Sequence, residues 1–154
     1  MRDNLWLESR LDSIWSDYFA DVEKANVVKI KFGKKARQQL GSIKWVDEKG
    51  HGLKIRVPLF KKVNRRIKPD KAISQITITS YFKDESVPDY VIDSTIAHEL
   101  CHYAHGFSSP LQQRYDHPHK GNVVGKELRK RGLGEMEKDS KIWLKENWRN
   151  IVIS

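Results

Sequence analysis

His98, Glu99 and His102 fall in the run His98-Glu99-Leu100-Cys101-His102, an H-E-x-x-H pentad within Val91 to Gly106. On an α-helix each residue advances about 100° around the axis, so the two histidines stand one turn apart on one face. Two imidazoles so spaced can converge on one ion. Glu99, one step round the cylinder, can reach a water held by that ion. The chemistry implied is metal-assisted hydrolysis with a carboxylate as general base. A purely structural metal site has no use for an unliganded carboxylate, and it fills its fourth coordination position with protein.

A catalytic zinc takes three protein ligands and keeps one position open. The candidates for the third are His105, His117, His119 and Glu127, and spacing alone leaves the choice open. His105 lies near the azimuth of His98 but two turns further along, too far for the same ion, and is expected at most to line the pocket or support a ligand. His117 and His119 belong to a stretch that can return over the helix, with Asp116 beside them to orient a ring by hydrogen bonding. Glu127 would act from a following helix. The metzincin continuation fails, because His105 and Ser108 stand where that pattern needs Gly and His. Tyr103, His105, Arg114, Tyr115 and His117 are the groups able to meet a developing oxyanion, and the sequence does not rank them.

The single cysteine, Cys101, excludes an internal disulfide and any Cys-rich zinc ribbon, so metal has to be held by imidazole and carboxylate. Cys101 itself is expected to pack beneath the site. The net charge of +9 and pI near 9.6 make anionic partners worth considering. Lys34, Lys35 and Arg37 form one basic run, Lys61, Lys62, Arg65, Arg66 and Lys68 a second, and Lys126 to Arg131 a third. Such runs can neutralise phosphates, and they can equally be a solvated face. Apolar runs never approach the ~18 residues of a membrane span, and the N-terminal residues are too polar for a secretory signal. No membrane association and a cytoplasmic location are therefore expected.

The elements that must position the pentad follow from periodicity. Leu7, Leu11, Ile14, Trp15, Tyr18, Phe19 and Val22 predict an amphipathic helix over 4–25. Val27 to Phe32 alternates as a strand, Lys34 to Leu40 suits one or two helical turns closed by Gly41, and 43–46 with 53–57 suggests a hairpin with an exposed His51 in its turn. Residues 58–73 read as a basic surface loop. Gln75 to Phe82 is the clearest strand; it should pack on the pentad helix and bring a sheet edge beside the metal, where an extended peptide can add as another strand. A loop follows Gly106 as far as His119. Helices are expected over 122–130, stopped by Gly132, and over 135–152.

Ile76-Thr77-Ile78-Thr79, the stretch Val91 to His102, and Pro118-His119-Lys120-Gly121 together resemble the SprT-like zinc metallopeptidases, the Spartan/SprT-like group of H-E-x-x-H zincins. The resemblance spans roughly residues 5–133. It implies a single SprT-like domain over 1–154 with a helical tail at 135–152. The fold implied is α+β, a small mixed sheet packed against the H-E-x-x-H helix with N-terminal and C-terminal helices. It also implies Zn²⁺ as cofactor, Glu99 as catalytic base, and a polypeptide substrate, with nucleic acid as a possible partner through the basic runs. Its third ligand falls on His119, with His117 next. The chain departs from the family in that Lys120 separates His119 from Gly121 and Asn122-Val123 replaces an acidic-aromatic pair. A basic nucleic-acid-binding domain with a structural or vestigial metal is the alternative, and hydrolysis of a non-peptide bond a third. Oligomeric state is not legible.

Overall fold

A computed structural model describes residues 1–53 and 71–154. The N-terminal helix α1 spans Asn4–Tyr18, opened by the Asp3 side chain accepting the Trp6 N–H at 2.8 Å. It buries Leu7, Leu11, Ile14 and Trp15. The helix stops short of the expected residue 25, because the Trp15 indole N–H donates to the Val22 carbonyl at 3.0 Å and ties the chain into a turn. Phe19 and Val22 stay buried from that turn, so the apolar stripe continues without the helix.

Three strands form the sheet among the described residues: β1 (Val28–Phe32), β2 (Gly41–Val46) and β3 (Ile73–Ile78), in the order β1-β3-β2. β3 runs parallel to β1, with Ile30 opposite Ile76, and antiparallel to β2, with Ile43 opposite Ile76. The clearest strand of the sequence is thus central, and the edge offered to the pentad helix belongs to β2. Residues 34–40 are not helical. Thr79 pins them in an irregular path, accepting the Ala36 N–H and donating to the Ala36 carbonyl, and Gly41 opens a strand instead of closing a helix. β3 also ends earlier than its alternation suggests. The chain leaves the sheet after Ile78 and winds through a 3₁₀ turn, Ser80–Lys83, which buries Phe82 completely. The turn after β2 is present, with Asp47 N–H donating to the His51 carbonyl and an exposed His51, but 54–57 of the expected partner strand lie outside the described residues.

Helix α2, Asp89–Ala104, carries the pentad and is buried on nearly every side. Its apolar positions join Ile30, Phe32, Ile76 and Ile78 from the sheet and Leu7, Leu11 and Ile14 from α1 in one cluster. Two arginines fix its N-terminal half. Buried Arg2 donates to the carbonyls of Phe82, Asp84 and Val87 and to Asp89, and Arg10 pairs bidentately with the buried Asp93 carboxylate. Helices α3 (Val123–Lys130) and α4 (Gly134–Ile153) follow, separated by Gly132 at φ 82°, a conformation that favours glycine. α4 lays Met136, Trp143, Leu144, Trp148 and Ile151 on the core, and the Trp148 indole donates to the Arg37 carbonyl at 2.9 Å. No helix of the described residues is long and apolar enough to cross a membrane.

The Arg2 clamp gives a test of this packing. Removing the guanidinium leaves buried carbonyls without a donor, each costing about 1–3 kcal/mol. Arg2→Leu is expected to lower the unfolding free energy by roughly 2–3 kcal/mol in urea titration, and an unchanged midpoint would contradict the clamp.

Candidate metal centre

His98 and His102 project from adjacent turns of α2, as the pentad spacing requires, and His119 comes over them from the loop that ends at the 3₁₀ turn Lys120–Asn122. One nitrogen from each ring lies within 4.8 Å of the others. His98 Nε2 and His119 Nε2 are 3.3 Å apart. A tetrahedral ion with metal–nitrogen bonds of about 2.0–2.1 Å separates its ligands by about 3.3–3.4 Å, so this pair already has the span of two ligands. The three histidines can hold a metal ion.

The electrostatics suit a cation. Burial, reinforced by the neighbouring imidazole of His119 and by Lys141, lowers the His98 pKa to about 4. Burial, with His98, His119 and His105 nearby, takes His102 to about 3. Both rings are therefore neutral, with lone pairs free, at any pH near 7. Glu99 is 5% exposed, and desolvation pushes its pKa up to about 8. Among the described residues no donor or cation reaches its carboxylate. Bare backbone approaches it from above: a Cβ at Gly41 would stand 3.2 Å from Glu99 Oε1 and 2.8 Å from Thr95 Cγ2, so only glycine fits at the start of β2. A nearby divalent cation would return Glu99 to its ionised form.

These groups line a cleft of about 620 Å³. One rim is Gln38 to Lys44, running into the edge of β2; the far wall is Leu128 of α3 with Glu137, Ser140, Lys141 and Leu144 of α4. Phe107 and Pro118 also line it.

Of the residues singled out from sequence, His98, Glu99, His102 and His119 come together. His117 and Asp116 are exposed on the loop and lie outside the histidine cluster. His105 is fully buried and hydrogen-bonds through Nε2 to Glu127 at 3.0 Å. Glu127 also faces Arg131 Nε at 3.3 Å, so it is engaged as an internal ion-pair partner, away from the cluster. Tyr103 donates its hydroxyl to Asn26 and accepts the Ala25 N–H, which turns it from the cleft. Arg114 and Tyr115 are exposed and are not among the residues that line it. Cys101 packs at 0% exposure beneath the site, and burial pushes its thiol pKa far above the ordinary value. Lys34, Lys35 and Arg37 are exposed, whereas Lys61, Lys62, Arg65, Arg66 and Lys68 lie outside the described residues.

The α4 wall has no counterpart in the motif-based reading. Its signal was the spacing of Glu137, Ser140, Lys141 and Leu144, which puts polar groups on a face that elsewhere carries Met136, Trp143 and Trp148. Comparisons with family models, curated proteins and solved structures find no match for this chain.

In metal-free protein the two kinds of shift oppose each other. The folded chain protonates His98 and His102 less readily than the unfolded chain does, so they reduce stability as pH falls below 6.5. Glu99 keeps its proton up to about 8 against 4.5 for the free group, so it reduces stability as pH rises between those values. Glu99→Gln removes only the second effect. With chelator present, the variant should gain on wild type by about 1 kcal/mol or more on going from about pH 5 to about pH 8. A difference that is constant with pH would mean the carboxylate is not desolvated.

Proposed function

We propose that this chain is a zinc-dependent endopeptidase of SprT-like type, with His98, His102 and His119 as metal ligands and Glu99 as general base. The observation that carries the reading is the meeting of three imidazoles beside a buried carboxylate that no other described group neutralises. Imidazole donors in near-tetrahedral arrangement favour zinc among the divalent ions. Bound there, zinc supplies a positive charge that acidifies a water and polarises a substrate carbonyl.

The chain's own residues do the rest. Glu99 takes the water's proton onto its carboxylate and later delivers it to the departing amine, so the carboxylate is regenerated when the peptide C–N bond has broken. Gly41 packs directly against it, and its desolvation keeps it uncharged until a cation is present. The β2 edge, Gly41 to Lys44, gives a backbone rim along which an extended polypeptide can lie as an added strand. Exposed Lys34, Lys35 and Arg37 beside that rim support substrates associated with nucleic acid. A basic binding domain with a structural metal is the second reading, favoured only by that charge; an unneutralised Glu99 has no role in it.

Metal analysis of wild type, His119→Ala, His117→Ala and Glu99→Gln, with casein hydrolysis followed on the same samples with and without single-stranded DNA, tests the assignment. Wild type and His117→Ala should carry near-stoichiometric zinc and His119→Ala should lose it. Glu99→Gln should keep zinc while its turnover falls by about 10²-fold or more. A wild type that cannot be loaded with metal, or a Glu99→Gln that still cleaves, would overturn the proposal.

A further inference from the structure

Resting on the peptidase reading of the cleft, we infer that Glu137 and Ser140 of α4 form a subsite for a basic side chain of the substrate, a Lys or Arg at a fixed distance from the scissile bond. The two residues are three apart on one helix and so share a face, and both line the cleft that holds His98 and Glu99. The Glu137 side chain is only 15% exposed and Ser140 only 4%. Apolar Leu128 and Leu144 lie on the same wall, suited to the methylene stem of a long cationic side chain.

Lys141 also lines this wall, and its opposite charge has to be weighed. Its ammonium stands 3.5 Å from Glu137, one turn along the same helix, and its side chain is 71% exposed. It is the cation paired with Glu137 among the described residues. A pair one turn apart whose cation stands mostly in water is weak, and a lysine stem carries its charge into water at little cost. Glu137, held in the wall, has no such freedom. When an incoming cation displaces Lys141, the sheltered charge left facing the cleft is negative.

Position adds to charge. Glu137 and Lys141 also line a second groove, of about 630 Å³, that runs on between the end of α3 and α4 past Arg129 and Ile142. The pair marks the join between the two spaces. A polypeptide laid along β2, across the histidines and out through the second groove has to pass it. A charge-assisted hydrogen bond at such a sheltered point discriminates by about 10- to 100-fold against an uncharged isostere.

Two measurements separate this subsite from the peptidase reading. In the first, zinc-loaded Glu99→Gln full chain is titrated with unstructured peptides carrying Lys, norleucine or Glu at one scanned position. The expected result is one register at which Lys binds about tenfold or more tighter than norleucine. Adding Glu137→Gln should bring that ratio close to one, and adding Glu137→Lys should turn the preference toward Glu. In the second, wild-type digests of a mixed peptide pool are read by mass spectrometry for Lys or Arg at a constant distance from the cut. A Lys preference that survives Glu137→Gln, equal binding of Lys and norleucine, or a Glu preference that Lys141→Met abolishes would each overturn the subsite. Cleavage without basic enrichment removes the subsite and leaves the peptidase standing. Basic-selective binding without any cleavage removes the peptidase and leaves the cation site.

Discussion

Burial of α2 sets the charge state of everything the cleft contains. A helix enclosed by α1, the sheet, α3 and α4 has little water with which to solvate ions, so each titratable group on it either finds a partner inside the protein or gives up its charge. Asp93 has its partner in Arg10, which reaches it from α1. His98 and His102 stay neutral, and Glu99 holds its proton well above the ordinary carboxylate range. A divalent ion between the three imidazoles would relieve this arrangement at once, using the lone pairs and drawing Glu99 to its ionised form.

The same enclosure explains why so much of the chain is spent on anchoring. Arg2 satisfies three carbonyls where the chain leaves the 3₁₀ turn and enters α2, a point at which backbone groups are buried without a ladder. At the other end, Trp148 packs edge-to-face with both Tyr81 and Phe82, ring centroids 5.6 Å apart, while its indole holds the Arg37 carbonyl. α4 is thereby tied to the segment that leads into β2. The two long walls of the cleft, from opposite ends of the sequence, meet across that one tryptophan, and the width between them is set by packing.

What could be read from the chain beforehand divides along the same line. The α2 face, the burial of Cys101, α3 with its Gly132 stop and the extent of α4 follow from local periodicity and end signals, and the structure has them within a few residues. The end of α1 was not legible, because Trp15 closes a turn by a side-chain bond that no spacing encodes. Residues 34–40 escape for a similar reason: their composition tolerates a helix, and it is Thr79, distant in sequence, that pins them in an irregular path. The choice of His119 over His117 depends on how the loop returns over α2, a tertiary fact that neither histidine reveals alone. The α4 wall was invisible to any motif, since its residues acquire meaning only by facing the cleft.

Buried carboxylates can be ordered by how completely their charge is met, and the order separates architecture from chemistry. Asp93 faces a bidentate guanidinium, and Glu127 has the His105 ring on one oxygen and Arg131 on the other, with Arg114 3.9 Å away. Both are compensated within the fold, and removing a partner from either would strand a charge, which is the signature of structural pairs. Glu137 has only an exposed lysine that water competes for. Glu99 has no partner among the described residues and lies beside three converging imidazoles. A fold does not keep a carboxylate in so costly a place for stability, because an apolar residue of the same size would serve α2 better. The incompletely met charges line one cleft, and there the deficit is most directly removed by what enters from outside: a metal ion on the imidazoles beside Glu99 and, by our inference, a substrate cation at Glu137.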